Sequence, residues 1–253
     1  MTKGLVNVKT LDLSKTKIGD AALIHLKKFD KLENLNLSES QVTDTGLAQL
    51  KNLITLRSPG LDNTRIDGTG LRHLQALPNL ESIGLNGTAI NNAALEHLQE
   101  FANLTSLGLD ETQITDRGLQ HLSQLPKLRG LSLQRTRITD VGMQHLAGLV
   151  ELRWLNLRHT SVGEIGARSL QGMTSLEHLL LDLTKIPDSG LTHLAGLKKL
   201  KLLTLDGTQI TDAGLVHLEG LTNLETLIVP PNRVTDAALN HLRKALPACR
   251  INE

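Results

Sequence analysis

From Val8 onward, apolar and polar positions repeat every 24 residues without a slip. The copies begin at Val8, Leu32, Leu56, Leu80, Leu104, Leu128, Leu152, Leu176, Leu200 and Leu224, ten in all. Numbered from that first residue, positions 1, 4, 6, 11, 16, 19 and 22 are apolar in almost every copy, and position 19 is leucine in all ten. Positions 4 and 6 alternate with polar 3, 5 and 7, a period of two that predicts a short strand. Positions 16, 19 and 22 fall three apart, one face of a short helix. One such unit cannot bury its apolar face alone, so a fixed short period predicts a stacked solenoid.

The turn between strand and helix has its own chemistry. Position 9 is Thr, Ser or Asn throughout, as in Thr16, Ser40, Thr112 and Asn232. A short polar side chain there can bond loop backbone groups that stacking would leave unpaired. Positions 12 and 13 usually read Thr-Asp, as in Thr115-Asp116 and Thr211-Asp212, which predicts helix capping. Position 15 is Gly or Ala in every copy, from Ala22 to Ala238, and predicts close packing on a neighbour. Strands that always return in one direction stack in parallel about 4.8 Å apart. Helices are wider, at about 10 Å, so the stack is expected to curve with strands inside and helices outside.

The motif L-x-x-L-x-L-x-x-T-x-I-T-D-x-G-L resembles a leucine-rich repeat, from Leu5 to about Ile251. Its I-T-D-x-G-L segment is similar to the cysteine-containing subclass of F-box substrate receptors, with Thr here where that subclass has Cys, and to Thr-bearing bacterial arrays. No F-box precedes the array, so a ubiquitin-ligase role is not carried over. The resemblance implies an α/β right-handed solenoid, a horseshoe whose concave parallel sheet binds proteins or peptides. The expected domain is single, 1–253, with 249–253 closing it.

Composition narrows the classes. The net charge of +1 offers no global case for nucleic acid or an anionic membrane. Aromatics are 1% of the chain, with one Trp and no Tyr, so the core must be aliphatic. The lone Cys249 excludes an internal disulfide. No apolar run approaches the about 20 residues of a membrane span, and the start lacks a signal-like stretch; both point to the cytoplasm, unless the chain is a fragment. The pattern begins in mid-repeat at Leu5, with no polar cap. Either the chain is part of something longer or its first strand is covered by another molecule, for which end-to-end self-association is one route.

Two copies depart from the rule. Pro59 occupies strand position 4 of the third copy, followed by Gly60, and predicts an interrupted or bulged strand. The seventh reads Val162-Gly163-Glu164-Ile165-Gly166-Ala167, with Ala where Leu is expected, so its helix should start differently or pack loosely. Both are drift, or changes of curvature beside a binding site.

Repeated polar columns invite chemistry that their spacing does not supply. Histidines at position 18 (His25, His73, His97, His121, His145, His193, His217 and His241) come one per copy, about 10 Å apart on the helical side, too far to converge on a metal; each is expected to bond a backbone or cap group. The Asp column at position 13 (Asp44, Asp116, Asp140, Asp188, Asp212, Asp236) reads as local helix capping rather than calcium binding. Cys249 reads as a buried apolar cysteine. No cofactor motif or nucleophile arrangement is present.

Positions 3 and 5 should point off the concave face. They are small and polar in the first six copies, then turn bulky. Trp154 begins the change; His178, Leu180, Leu183, Leu202 and Ile228 follow, with Arg129, Arg135, Arg153, Arg158 and His159 alongside. Aromatic and Arg groups together mark binding hot spots, and an apolar patch with a charged rim marks an interaction surface. The plain alternative is that these side chains merely cover one another. The expected function is non-catalytic binding of a protein or peptide, with Trp154 as anchor, Leu180, Leu202 and Ile228 as apolar floor, and Arg129, Arg153, Arg158 and His159 setting orientation. The other readings are an inert spacer within a larger protein, and an enzyme using His159, His178 and Asp182. No metal, cofactor, nucleic acid or membrane partner is expected.

Overall fold

In each coil the leucines at positions 4 and 6 turn inward from a three-residue strand, and those at 16, 19 and 22 meet them from the helical side; Leu35, Leu37, Leu47, Leu50 and Leu53 are at most 1% exposed. The computed structural model describes residues 7–252. They divide into two compact units, one up to Ile114 and one from Thr115, inside the fifth repeat. Each is an α/β repeat solenoid.

The first unit holds β1 (Thr10–Asp12), β2 (Asn34–Asn36), β3 (Ser58–Gly60), β4 (Ser82–Gly84) and β5 (Ser106–Gly108). Adjacent strands pair in parallel one period apart, Thr10 with Asn34 and Asn34 with Ser58. Its helical side has α1 (Asp20–Leu23) and α2 (Asp44–Leu47), each running into a 3-10 turn, then 3-10 segments alone at Leu71–Ala76 and Ala94–Glu100. In β1 the core residues Leu11 and Leu13 remain partly exposed.

The second unit holds α3 (Asp116–Leu122), β6 (Gly130–Ser132), α4 (Asp140–Leu146), β7 (Trp154–Asn156), α5 (Glu164–Leu170), β8 (His178–Leu180), α6 (Asp188–Leu191), β9 (Leu202–Thr204), α7 (Asp212–Leu215), β10 (Thr226–Ile228), α8 (Asp236–Ala245) and β11 (Arg250–Asn252). Strands β6 to β11 pair in chain order, all parallel, with β11 closing the unit against β10.

The irregular copies keep their register. β3 is neither broken nor bulged: Pro59 faces Leu35 in a full pairing with β2. Toward β4 only Gly60 pairs, with Gly84, as suits a residue that has no N–H to donate. The seventh helix, α5, begins at position 13 like its neighbours, with Gly163 in place of the capping Thr, and Ala167 is fully buried.

The turns differ from the sequence expectation in an instructive way. In eight copies the position-9 threonine donates its hydroxyl to the carbonyl three residues back, at 2.5–2.7 Å. Asn232 does not join this column. Pro231 stands where the other copies have a residue with positive φ, a conformation proline cannot adopt, so the left-handed residue moves one place along to Asn232. Ser40, the one serine, is buried with its hydroxyl unbonded.

The position-13 aspartates do not cap their own helices. Thr43, Thr139, Thr211 and Thr235 are the N-caps. Asp20, Asp116, Asp188 and Asp212 instead reach into the next coil and accept from that coil's position-12 threonine, while Asp140 accepts the N–H of Gly163 at the same place. Asp116 takes both the N–H and the hydroxyl of Thr139, at 2.7 and 2.6 Å. Asp20, Asp188 and Asp212 do the same for Thr43, Thr211 and Thr235. Asp44 accepts the N–H groups of Asp67, Gly68 and Gly70.

This staple also bears on position 15 in several coils, although Asp212 makes the same bonds where the next coil carries Ala238. A Cβ on Gly46, Gly142 or Gly214 would collide with the carboxylate of Asp20, Asp116 or Asp188. Where position 13 is Gly68, with no carboxylate, the following copy carries Ala94, whose methyl lies in the space a side chain on Gly68 would need.

Two stability measurements check these readings. Gly142→Ala and Asp116→Gly should each destabilise the chain, yet the double variant should recover about 0.5–3 kcal/mol relative to their sum, since it recreates the Gly68–Ala94 arrangement. Additive losses in denaturant unfolding would contradict the staple. Ser40→Thr should add the missing bond, about 1 kcal/mol, seen as a Tm rise of about 2–4 °C.

Candidate functional site

Position 3 forms a straight row across the second unit. Gly130, Trp154, His178, Leu202 and Thr226 face one another in register on β6 to β10. The backbone fixes that register: Trp154 N–H donates to Arg129, His178 N–H to Arg153 and Leu202 N–H to Glu177. Trp154, His178 and Leu202 are all partly exposed. The first unit has Thr10, Asn34, Ser58, Ser82 and Ser106 in this row.

Position 5, expected in solvent, is buried here. Ser132, Asn156 and Thr204 lie at or below 5% exposure. Longer position-7 side chains cover them and join them into one network. Asn156 donates to Ser132 and to Gln134. Asp182, on position 7, is the hub: it accepts from the Thr204 hydroxyl and the Asp206 N–H and pairs with Arg158. Arg158 is therefore neutralised within the chain. Leu180, 7% exposed, supports the row from beneath and offers little surface of its own, while Ile228 remains partly exposed two strands away.

The rim carries the other cations. Arg129 is exposed, and its side chain has no ion pair or hydrogen bond among the described residues. Arg153 lies 3.6 Å from Glu177, which is held more closely by Lys201 at 2.7 Å. The hydrogen bond to Lys201 holds the Glu177 carboxyl below its usual range and raises the lysine above its own. His159 and Leu183 sit in adjacent turns with φ of 54 and 56°, a conformation that costs a residue with a Cβ roughly 1–2 kcal/mol. Leu183 is nonetheless 49% exposed, a bulky apolar group displayed beside the row. The column of position-8 residues hinted at this, because glycine appears in it only at Gly87 and Gly207.

Groups with catalytic potential do not converge. The Asp182 carboxylate is occupied by Arg158, Thr204 and Asp206; His159 meets Asp182 only through the backbone, its N–H donating to the Asp182 carbonyl, and no side-chain hydrogen bond joins the carboxylate to either His159 or His178 among the described residues. No group of three His, Cys, Asp or Glu could hold a metal among those residues. Among the described residues the rings of His25, His73, His97, His145, His193 and His217 make no hydrogen bond to a backbone group, while His121 contacts Gln120 and His241 contacts Glu219. Cys249 is half-buried rather than buried, and burial pushes its thiol up, away from the reactive thiolate. No helix among the described residues is long and apolar enough to cross a membrane.

The strand face of the first unit is a polar groove of about 460 Å³, lined by Thr10, Asn34, Ser58, Asp62 and Ser82 among others. Its glycines serve the ladder: a Cβ on Gly84 would collide with Asp62, and one on Gly108 with Asn86. Asp62 accepts the Asn86 N–H and Asn86 accepts the Asp110 N–H, both at 2.8 Å. Burial raises the Asp62 carboxyl above its usual range.

The chain belongs to the leucine-rich-repeat family: a leucine-rich repeat region model matches residues 79–249, and a second leucine-rich repeat model matches 5–27. Among solved structures it is similar to an LRR protein from Leptospira interrogans, with TM-score 0.71 and 21% identity over 98% of this chain and 73% of that one. An internalin C2 (inlC2) from Listeria monocytogenes aligns with TM-score 0.65 and 25% identity over 86% and 84%. An internalin (inlF) from the same species aligns with TM-score 0.60 and 20% identity over 98% and 87%. No curated protein matches the chain.

Asp62→Asn tests the groove's electrostatics. A raised carboxyl pKa means the proton is held more tightly when folded, so the charged form weakens the fold as pH rises through that pKa. Asparagine keeps the acceptor, as Asn86 does, without the charge. The variant should melt higher near pH 7, and the advantage should close as pH falls below about 3.9. An equal advantage at both pH values would contradict the assignment.

Proposed function

We propose that the chain is a non-catalytic binding module that recognises a protein or peptide through the strand face of its second unit. The observation that carries this is the in-register row of Trp154, His178 and Leu202, partly exposed on three adjacent strands. Leu180 supports it from below and Leu183 flanks it. The Asp182 network holds these strands' side chains in place, so the surface is ordered before a partner arrives, which lowers the entropy lost on binding. Trp154 is the anchor, Leu202 and Ile228 extend the apolar floor, and Arg129 and Arg153, with His159, orient the partner by charge. Arg158 acts indirectly by neutralising Asp182.

The face of the first unit favours a scaffold role for that half, since its position-7 side chains are taken up in accepting the backbone N–H groups of the next coil along the groove. Localisation to the cytoplasm belongs to the same proposal.

The site can be tested without knowing the natural partner. Short random-sequence peptides selected on the full chain should bind the Trp154→Ala variant at least about tenfold more weakly, while Ser82→Ala leaves binding unchanged. Equal affinity for wild type and Trp154→Ala would remove the site.

A further inference from the structure

The residues beside the row, at position 2, form a charge ladder in which like charges adjoin at one place. In the first unit they read Lys9, Glu33, Arg57, Glu81 and the uncharged Thr105, the four charges alternating in sign. Lys9 and Glu33 lie 2.8 Å apart, Arg57 pairs with Glu81, and Glu33 also feels Arg57. In the second unit they read Arg129, Arg153, Glu177, Lys201 and Glu225. Glu177 stands between Arg153 and Lys201, as Glu33 stands between Lys9 and Arg57. Only Arg129 and Arg153 are cations on adjacent strands with no carboxylate between them. They are neighbours in register, since Arg153 N–H donates to the Arg129 carbonyl at 2.8 Å. Like charges directly opposite one another destabilise a sheet.

The break lies against the only tryptophan. Trp154 follows Arg153, and its N–H donates to the same Arg129 carbonyl at 3.0 Å. A fold that keeps like charges apart elsewhere in this column, but sets Arg129 against Arg153, whose one carboxylate Glu177 is held more closely by Lys201, has departed from its own rule at the place assigned to binding.

We infer that the partner is an acidic peptide segment, and that one of its Asp or Glu carboxylates fills the missing rung between Arg129 and Arg153 while a neighbouring apolar side chain packs on Trp154 and Leu202. This rests on the reading of the Trp154 row as the docking face. Arginine suits the task because its fork receives a carboxylate through two parallel hydrogen bonds. A carboxylate is the group that relieves the cations in every other rung of the column. Nucleic acid fits poorly: Leu202, Leu180 and Ile228 give an aliphatic floor, and Trp154 is the only indole or phenyl ring in it, whereas single strands need successive stacking platforms.

The experiment uses the full chain, a random-sequence peptide library, and the fluorescence of Trp154, the sole Trp in a chain without Tyr. Enriched peptides should carry Asp or Glu next to a bulky apolar residue. Replacing that acid by its amide, or making Arg129→Glu, should each weaken binding about tenfold or more, as measured for charged interface groups. Arg129→Glu should at the same time raise Tm by about 1–3 °C, because the new carboxylate completes the column beside Arg153. A residue needed only for folding would move both quantities down together.

Enriched peptides without acids, or acidic ones indifferent to Arg129→Glu yet lost on Trp154→Ala, would overturn the inference and leave the docking face standing. Tighter binding of a phosphoserine analogue, displacement by a single-stranded oligonucleotide, or a fall in Tm for Arg129→Glu would overturn it too. Peptides indifferent to Trp154→Ala, or no enrichment at all, would remove the docking face and the inference with it.

Discussion

A coil of this length cannot satisfy its own turn. Its strand is three residues and its helix one or two turns, so most backbone donors and acceptors in between must find partners elsewhere or remain unpaired at a cost of about 1–3 kcal/mol each. The chain meets this constraint with groups sent from coil to coil. The aspartate of one helix start holds the capping threonine of the next. The position-7 amide or acid of one strand end holds the following one, as Asp62 holds Asn86 and Asn86 holds Asp110. The threonine at position 9 works within its own turn, as the capping threonine does at its own helix start. Stacking is thus enforced by polar groups as much as by leucine, and a change in one coil is felt in the next.

That coupling is why some features could be read from the residues and others could not. The core positions were legible because burial recurs with the period: a leucine that is inside in one coil is inside in all. Solenoid class, strand positions and parallel order follow from that alone. The inter-coil staples were not, because a column of Thr-Asp looks like a local cap when each copy is read by itself. The sign of them lies in the pairing of copies, where Asp at 13 precedes Gly at 15 of the next in every case but Asp212 and Ala238, while Gly68 precedes Ala94. Reading adjacent copies together would have found it.

The candidate site shows the same division. The Trp154, His178 and Leu202 row was legible because period-two alternation places position 3 on the strand face. The burial of Leu180 was not, since the alternation that exposes position 3 predicts an exposed position 5 as well. Nor was the neutralisation of Arg158, whose partner Asp182 lies one whole period away. Asn232 misled for a local reason: two prolines before it displaced the left-handed residue of the turn.

What distinguishes the second unit's strand face is where the rules of the ladder lapse. Elsewhere the chain keeps its left-handed turns polar or glycine, its position-3 side chains small and its position-2 cations apart. From the sixth copy to the ninth all three habits lapse, in Leu183, in Trp154 with His178 and Leu202, and in Arg129 with Arg153. Each departure weakens the fold slightly: a Cβ in the left-handed region, apolar surface left to water, and like charges held side by side. Independent drift would scatter such defects over ten copies. Their gathering on neighbouring coils of one unit is the pattern expected where stability has been given up for a surface that a partner completes.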